Sequence, residues 1–150
     1  MRQSKNKFIT VCIMAVVVMS ILFLMGCSTD KKDFEIETPH CTLYYPAKWK
    51  EQVRIETVEG NAFRVEFYGQ VEGKEEQHLF DIAFGGEEGY TLGHLITKDD
   101  SKIAVNIVSY DFAPGEGWQD AEANIIYAMQ EDINYIIDKL EELEEFEILQ

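Results

Sequence analysis

Val53-Arg54-Ile55-Glu56-Thr57-Val58-Glu59-Gly60-Asn61-Ala62-Phe63-Arg64-Val65-Glu66-Phe67-Tyr68 alternates apolar and polar side chains on both sides of a Gly-Asn pair. Successive side chains of a strand point to opposite faces, so this period of two predicts two strands joined as a hairpin. Val53, Ile55, Phe63, Val65 and Phe67 then face a core, and Arg54, Glu56, Arg64 and Glu66 face water. The opposed charges are expected to pair across the strands.

Outward from this hairpin the same alternation recurs. Phe34 to Glu37 and Cys41 to Tyr44 read as two short strands around Thr38-Pro39-His40, and Tyr45-Pro46-Ala47-Lys48-Trp49-Lys50 as a single helical turn. Beyond the hairpin, His78 to Phe84, Tyr90 to Ile96 and Lys102 to Val108 are strand-like, separated by Gly85-Gly86-Glu87-Glu88-Gly89 and Asp99-Asp100-Ser101. Each connection is short, which predicts an antiparallel meander of about 5-7 strands. After Pro114-Gly115-Glu116-Gly117 the period changes: Ile126, Met129, Ile133, Ile136, Leu140 and Leu143 recur every three or four residues. That spacing predicts one amphipathic helix from near Gln119 to Glu144, covering one face of the sheet. The expected class is α+β.

The first 26 residues are a different kind of sequence. A head with Arg2, Lys5 and Lys7 precedes an uncharged apolar block from Phe8 to Gly26, the layout of a secretory signal. The block is also about long enough to span a bilayer, roughly 17 to 25 apolar residues, so length alone leaves an uncleaved anchor open. Leu24-Met25-Gly26-Cys27 resembles the lipobox of bacterial lipoproteins. The resemblance implies diacylglycerol on the Cys27 thiol and cleavage between Gly26 and Cys27. Residues 1-26 are then a signal peptide, 27-33 a lipidated cysteine and polar tether, and 34-150 one α+β domain on the extracytoplasmic face of the cell membrane. Two acyl chains give stable anchoring where one gives marginal binding. The tether from Ser28 to Asp33 reaches roughly 20 Å when extended.

Composition fits a single globular domain, with 46% hydrophobic and 27% charged residues. Without residues 1-26 the chain carries 10 Lys/Arg against 28 Asp/Glu, a net charge of -18. Such a surface repels phosphate polymers, which excludes nucleic acid as a partner. Cys12 leaves with the signal and Cys27 is alkylated, so Cys41 has no intramolecular disulfide partner and reads as a small buried hydrophobe.

No Gly-rich phosphate loop, nucleophile elbow, HExxH or CxxC occurs. His40, His78 and His94 are scattered, and the acidic turns Glu87-Glu88 and Asp99-Asp100-Ser101 lack the ligand spacing of a calcium loop, so neither metal nor cofactor is expected. The candidate ligand-binding residues are aromatic: Tyr45, Trp49, Tyr110 and Trp118. Core packing is the competing use of the same side chains. Tyr44-Tyr45-Pro46-Ala47-Lys48-Trp49, with the strand-rich meander and terminal helix, resembles small Gram-positive lipoproteins and is more distantly similar to PsbP-like domains, which also carry an aromatic-Pro-x-x-Trp segment after an early strand. The resemblance carries no catalytic residues. The functional expectation is a lipid-anchored, non-enzymatic binding or adaptor domain for an envelope protein or small ligand. The alternatives are an envelope enzyme such as a metal-assisted hydrolase, and an assembly subunit pairing through its C-terminal helix.

Overall fold

The computed structural model describes residues 32-149. The signal segment 1-26, its cleavage site at Gly26 and Cys27, and the tether up to Lys31 lie outside the described residues.

Strands β3 (Val53–Val58) and β4 (Phe63–Gly69) form the expected hairpin, with Ile55 opposite Phe67 and Thr57 opposite Val65. β5 (Gln77–Phe84), β6 (Tyr90–Ile96), β7 (Lys102–Ser109) and β8 (Phe146–Ile148) extend it into a six-stranded antiparallel sheet. β1 (Phe34–Glu37) and β2 (Thr42–Tyr45) pair as a separate hairpin, followed by a 3-10 turn, Ala47–Trp49. Helices α1 (Asp120–Glu131) and α2 (Ile133–Glu141) follow between β7 and β8. The α+β class is as the periodicities indicate: a mostly antiparallel sheet under a C-terminal helical segment.

Three details depart from the sequence reading. First, the strand order is β3-β4-β5-β7-β6-β8, so β7 lies between β5 and β6 rather than at the end of a sequential meander. The chain crosses over β7 in the five residues from Gly85 to Gly89, and Gly85, Gly86 and Gly89 adopt positive φ. Positive φ costs an L side chain energy but glycine little, so three glycines permit a crossover that ordinarily needs a dozen residues. At Gly89 there is also no room: a Cβ would stand 2.1 Å from the Ile107 carbonyl oxygen. Second, the helix breaks at Asp132. Its carboxylate accepts a bond from the Trp49 indole N–H at 2.5 Å and pairs with Lys48 at 2.6 Å, so the side chain serves the 3-10 turn where α1 meets α2. Third, the acidic C-terminal run contains β8, whose Phe146 side chain packs inward over Gly93.

The inner face of the sheet carries Val65, Phe67, Phe80, Ile82, Phe84, Val105 and Leu95, all buried. Ile126 and Met129 of α1 and Ile136 and Leu140 of α2 are buried against it, with Leu43 and Tyr45 of β2. Removing each such side chain from water contributes about 1.5–3 kcal/mol, which identifies this layer as the main source of stability. Both helices are therefore committed to the inner face. The predicted cross-strand ion pairs are corrected: Glu56 sits directly opposite Glu66, and Arg54 opposite Tyr68. The arginines instead pair along their own strands, Arg54 with Glu56 and Arg64 with Glu66.

Candidate functional site

With both helices on one side, the other face of the sheet carries polar and aromatic groups. Its centre depends on an irregularity in β5. Tyr68 is opposite His78 and Phe67 is opposite Phe80, so Leu79 is an extra residue in the ladder, a β-bulge. Leu79 and Phe80 both turn toward the core, and the alternation resumes in the opposite phase. Residues three apart on a regular strand point to opposite faces. Here the bulge returns Asp81 to the same face as His78, and the two side chains meet at 2.6 Å.

Asp81 is fully buried, 0% exposed, and both its oxygens are engaged. Oδ1 faces His78 Nε2, and Oδ2 accepts the Tyr110 hydroxyl at 2.9 Å. A buried carboxylate without partners costs several kcal/mol, on the order of the desolvation of a charge, so these two contacts are what make Asp81 tolerable. The His78 ring is held between Tyr68, centroids 4.4 Å apart, and Tyr110, 3.7 Å apart. Arg54 covers the far side of Tyr68, 4.1 Å from its centroid. Four planar groups therefore stand in one row across the sheet, Arg54, Tyr68, His78 and Tyr110.

The electrostatics follow from the neighbours. The Tyr68 hydroxyl donates to the Glu66 carboxylate, and this bond, with burial, pushes its pKa up to about 12. Burial and then the bond to Asp81 push Tyr110 to about 12 as well. Arg54 is raised above its usual range by Glu76 and then Glu56, and holds the Glu76 carboxyl below the ordinary value. Arg64 links this row to a groove of about 450 Å³ between the β3–β4 turn and the crossover, reaching Glu66 and Glu88 at 3.5 Å each. Beneath the crossover the buried Asn106 amide donates to the Gly85 and Gly86 carbonyls, both at 3.3 Å, fixing one wall of that groove.

The four aromatic residues singled out from the sequence do not converge. Tyr45 is a correction: it is 0% exposed, its ring 5.3 Å from Phe67 and its hydroxyl bonded to the Met129 carbonyl, so it is a core residue closed to ligand. The cause is its alternation with the buried Leu43, which turns both inward. Trp49 is half-buried against Asp132, at the junction of α1 and α2. Trp118 packs edge-on to Phe112, 5.0 Å away, near the start of α1, with Lys74 above it. Tyr110 alone joins the row on the outer face.

His40 lies against Phe84, 5.3 Å between centroids, beside a second groove of about 700 Å³ lined also by Cys41, Tyr44, Lys98 and Leu143. Burial pushes the Cys41 thiol up to about 11, which leaves it a poor nucleophile at neutral pH. Asp99 accepts the Thr97 hydroxyl within its own turn, and this holds its carboxyl below the usual range. Among the described residues no three His, Cys, Asp or Glu side chains are grouped to hold a metal ion. No described helix is long and apolar enough to cross a membrane.

Sequence reasoning missed His78, Asp81 and Asn106. The first two carry a readable signal: Leu79-Phe80 places two large apolar residues side by side in an otherwise alternating strand, which marks a bulge. Compared with protein-family models, curated proteins and solved structures, the chain gives no match to any of the three.

Proposed function

We propose that this chain is a lipid-anchored binding or adaptor domain of the bacterial cell envelope, and that it recognises its partner with the outer face of the sheet. The anchor is Cys27, on the strength of the Leu24-Met25-Gly26-Cys27 sequence after a basic head and an apolar run. The observation that carries the recognition surface is the one-sided architecture. Helices and the β1–β2 hairpin cover only the inner face, while the outer face holds the rigid row of Arg54, Tyr68, His78 and Tyr110 beside the 450 Å³ groove. A platform fixed in advance loses little entropy when a partner docks, which favours affinity.

Two alternatives are less well supported. A hydrolase would need a free general base, and the His78–Asp81 pair on this face has its ring stacked on both sides and its carboxylate doubly bonded. A helix-paired assembly would need an exposed apolar stripe, whereas Ile126, Met129, Ile136 and Leu140 are at most 1% exposed.

Photo-crosslinking tests the reading. A photoreactive amino acid at Glu56 on the outer face of the full chain, irradiated in the membranes of the producing cell, is expected to yield a discrete adduct. The same group at the exposed Asn124 of α1 serves as control. Adducts from Asn124 and none from Glu56 would refute the assignment of the face.

A further inference from the structure

We propose that β3, the long free edge of the six-stranded sheet, pairs antiparallel with β3 of a second copy of this chain, joining two domains into one continuous sheet. The proposal is independent of the lipidation of Cys27 and of the partner assigned to the outer face.

The first support is what the edge offers. Among the described residues β3 pairs with β4 alone, whereas the opposite edge, β8, is only three residues long. The Gln70 backbone N–H donates to the Gln52 carbonyl at 2.7 Å, continuing the register in which Val53 is opposite Gly69. Bonded and non-bonded pairs alternate along an antiparallel ladder. Arg54, Glu56 and Val58 therefore turn their backbone groups to β4, and Val53, Ile55 and Thr57 turn theirs outward. The six residues contain no proline, and their pairing with β4 runs without a shift in register. Native sheets commonly close an edge with prolines or bulges, so a regular edge without them is a template for another strand.

The second support is that this edge is complementary to itself. A two-fold axis at Ile55 sets Ile55 opposite Ile55 of the second copy and Val53 opposite its Thr57, so the outward backbone groups of both strands meet. Arg54 then stands opposite Glu56 of the second copy, and Glu56 opposite its Arg54. These are non-hydrogen-bonded pairs, whose side chains approach closest, with about 4.5 Å between Cα atoms. Both side chains remain accessible: Arg54 is 43% and Glu56 53% exposed, although they pair within their own chain and Arg54 also holds Glu76. The same charges select the register. The smallest slips that keep the backbone groups matched set Arg54 opposite Arg54, or Glu56 opposite Glu56, and like charges directly opposite destabilise a pairing. Glu51 and Glu59 face each other only beyond the ends of β3. On the inner face the partly buried Ile55 packs on the core, and Ile55 of the second copy continues that layer across the axis. The two outer faces come to lie side by side.

Charge exchange tests the pairing. The mass of the full chain is measured by sedimentation equilibrium in density-matched detergent, up to about 1 mM, a range that covers even millimolar affinity. Salt is held at about 0.15 M, where the Debye length is about 8 Å and the general repulsion of two acidic copies is largely screened. The parent is expected to show twice the monomer mass. Arg54→Glu sets acids against acids and Glu56→Arg sets bases against bases, so each alone is expected to be monomeric. Their equimolar mixture is expected to recover the two-fold mass, because every substituted position then faces an opposite charge. The mixture separates lost pairing from lost folding, since it adds nothing but the complementary chain. Thr57→Pro removes an outward N–H that β4 does not use, and is expected to lose the dimer while melting like the parent. A parent monomeric throughout the range, either charge variant dimeric alone, a mixture that stays monomeric, or dimers that persist in Thr57→Pro would overturn the proposal.

Discussion

His78 and Asp81, three residues apart on one strand, meet at 2.6 Å because a β-bulge at Leu79 brings both to the outer face of the sheet. The pair is the centre of the face assigned to recognition, since it fixes the ring that Tyr68 and Tyr110 enclose. Asp81→Ala removes the acceptor of two groups, His78 and the Tyr110 hydroxyl, in a site with no access to water. The expected loss is about 1–3 kcal/mol of unfolding free energy, read from the urea midpoint. Asp81→Asn keeps one acceptor oxygen and is expected to lose less. An Asp81→Ala protein as stable as the parent would show that the pair does not organise this surface.

Alkaline pH tests the same row by a different route. Tyr68 and Tyr110 ionise near pH 12 in the folded chain, against about 10 for a free tyrosine. Above pH 10 the unfolded chain releases protons that the folded chain retains, so stability present below pH 10 is lost as pH rises toward 12. Absorbance at the phenolate band should show Tyr68 and Tyr110 titrating late, together with the buried Tyr45 and with Tyr135, which its bond to Asp33 also raises, and Tyr68→Phe or Tyr110→Phe should each remove one late phenolate. Titration of both at the ordinary value would contradict the bonds to Glu66 and Asp81.

The crossover predicts an asymmetry among its glycines. Gly85→Ala meets nothing within 4 Å and carries only the strain of positive φ, about 1 kcal/mol. Gly89→Ala carries that strain and drives a Cβ to 2.1 Å from the Ile107 carbonyl oxygen, so the chain must move off β7. Thermal melts should place Gly89→Ala well below Gly85→Ala, by several kcal/mol, a loss typical of disrupted backbone packing. Equal melting temperatures would contradict the β5-β7-β6 order.

Cys41 should behave as a protected thiol. With its pKa raised to about 11 by burial, little thiolate is present at pH 8. Its reaction with a thiol reagent is expected to be at least about ten-fold slower folded than in urea, where the ordinary value near 8.5 returns. Equal rates would place the side chain at the surface.

The α+β class was legible because its two periods are clean: Val53 to Tyr68 repeats every two residues and Ile126 to Leu143 every three or four. What was not legible depends on contacts remote in sequence. The insertion of β7 between β5 and β6 is invisible in local patterning, because a Gly-rich pentamer serves a crossover as readily as a tight turn. The break falls at Asp132, whose side chain is bonded by Trp49 and Lys48, more than eighty residues earlier. Among the aromatic candidates, Tyr45 and Tyr110 have the same residue type and different fates. Alternation with Leu43 takes Tyr45 into the core, and the end of β7 brings Tyr110 to the outer face beside Asp81.

We propose that Cys27 holds this domain at the membrane, and the decisive measurement is the intact mass of the protein extracted from bacterial membranes. The expected result is a chain beginning at Cys27 and heavier than its sequence by a diacylglycerol group, with Cys27→Ala accumulating as an uncleaved, unlabelled precursor. A mature chain of unmodified mass, or a Cys27→Ala protein cleaved and labelled by palmitate like the parent, would contradict it.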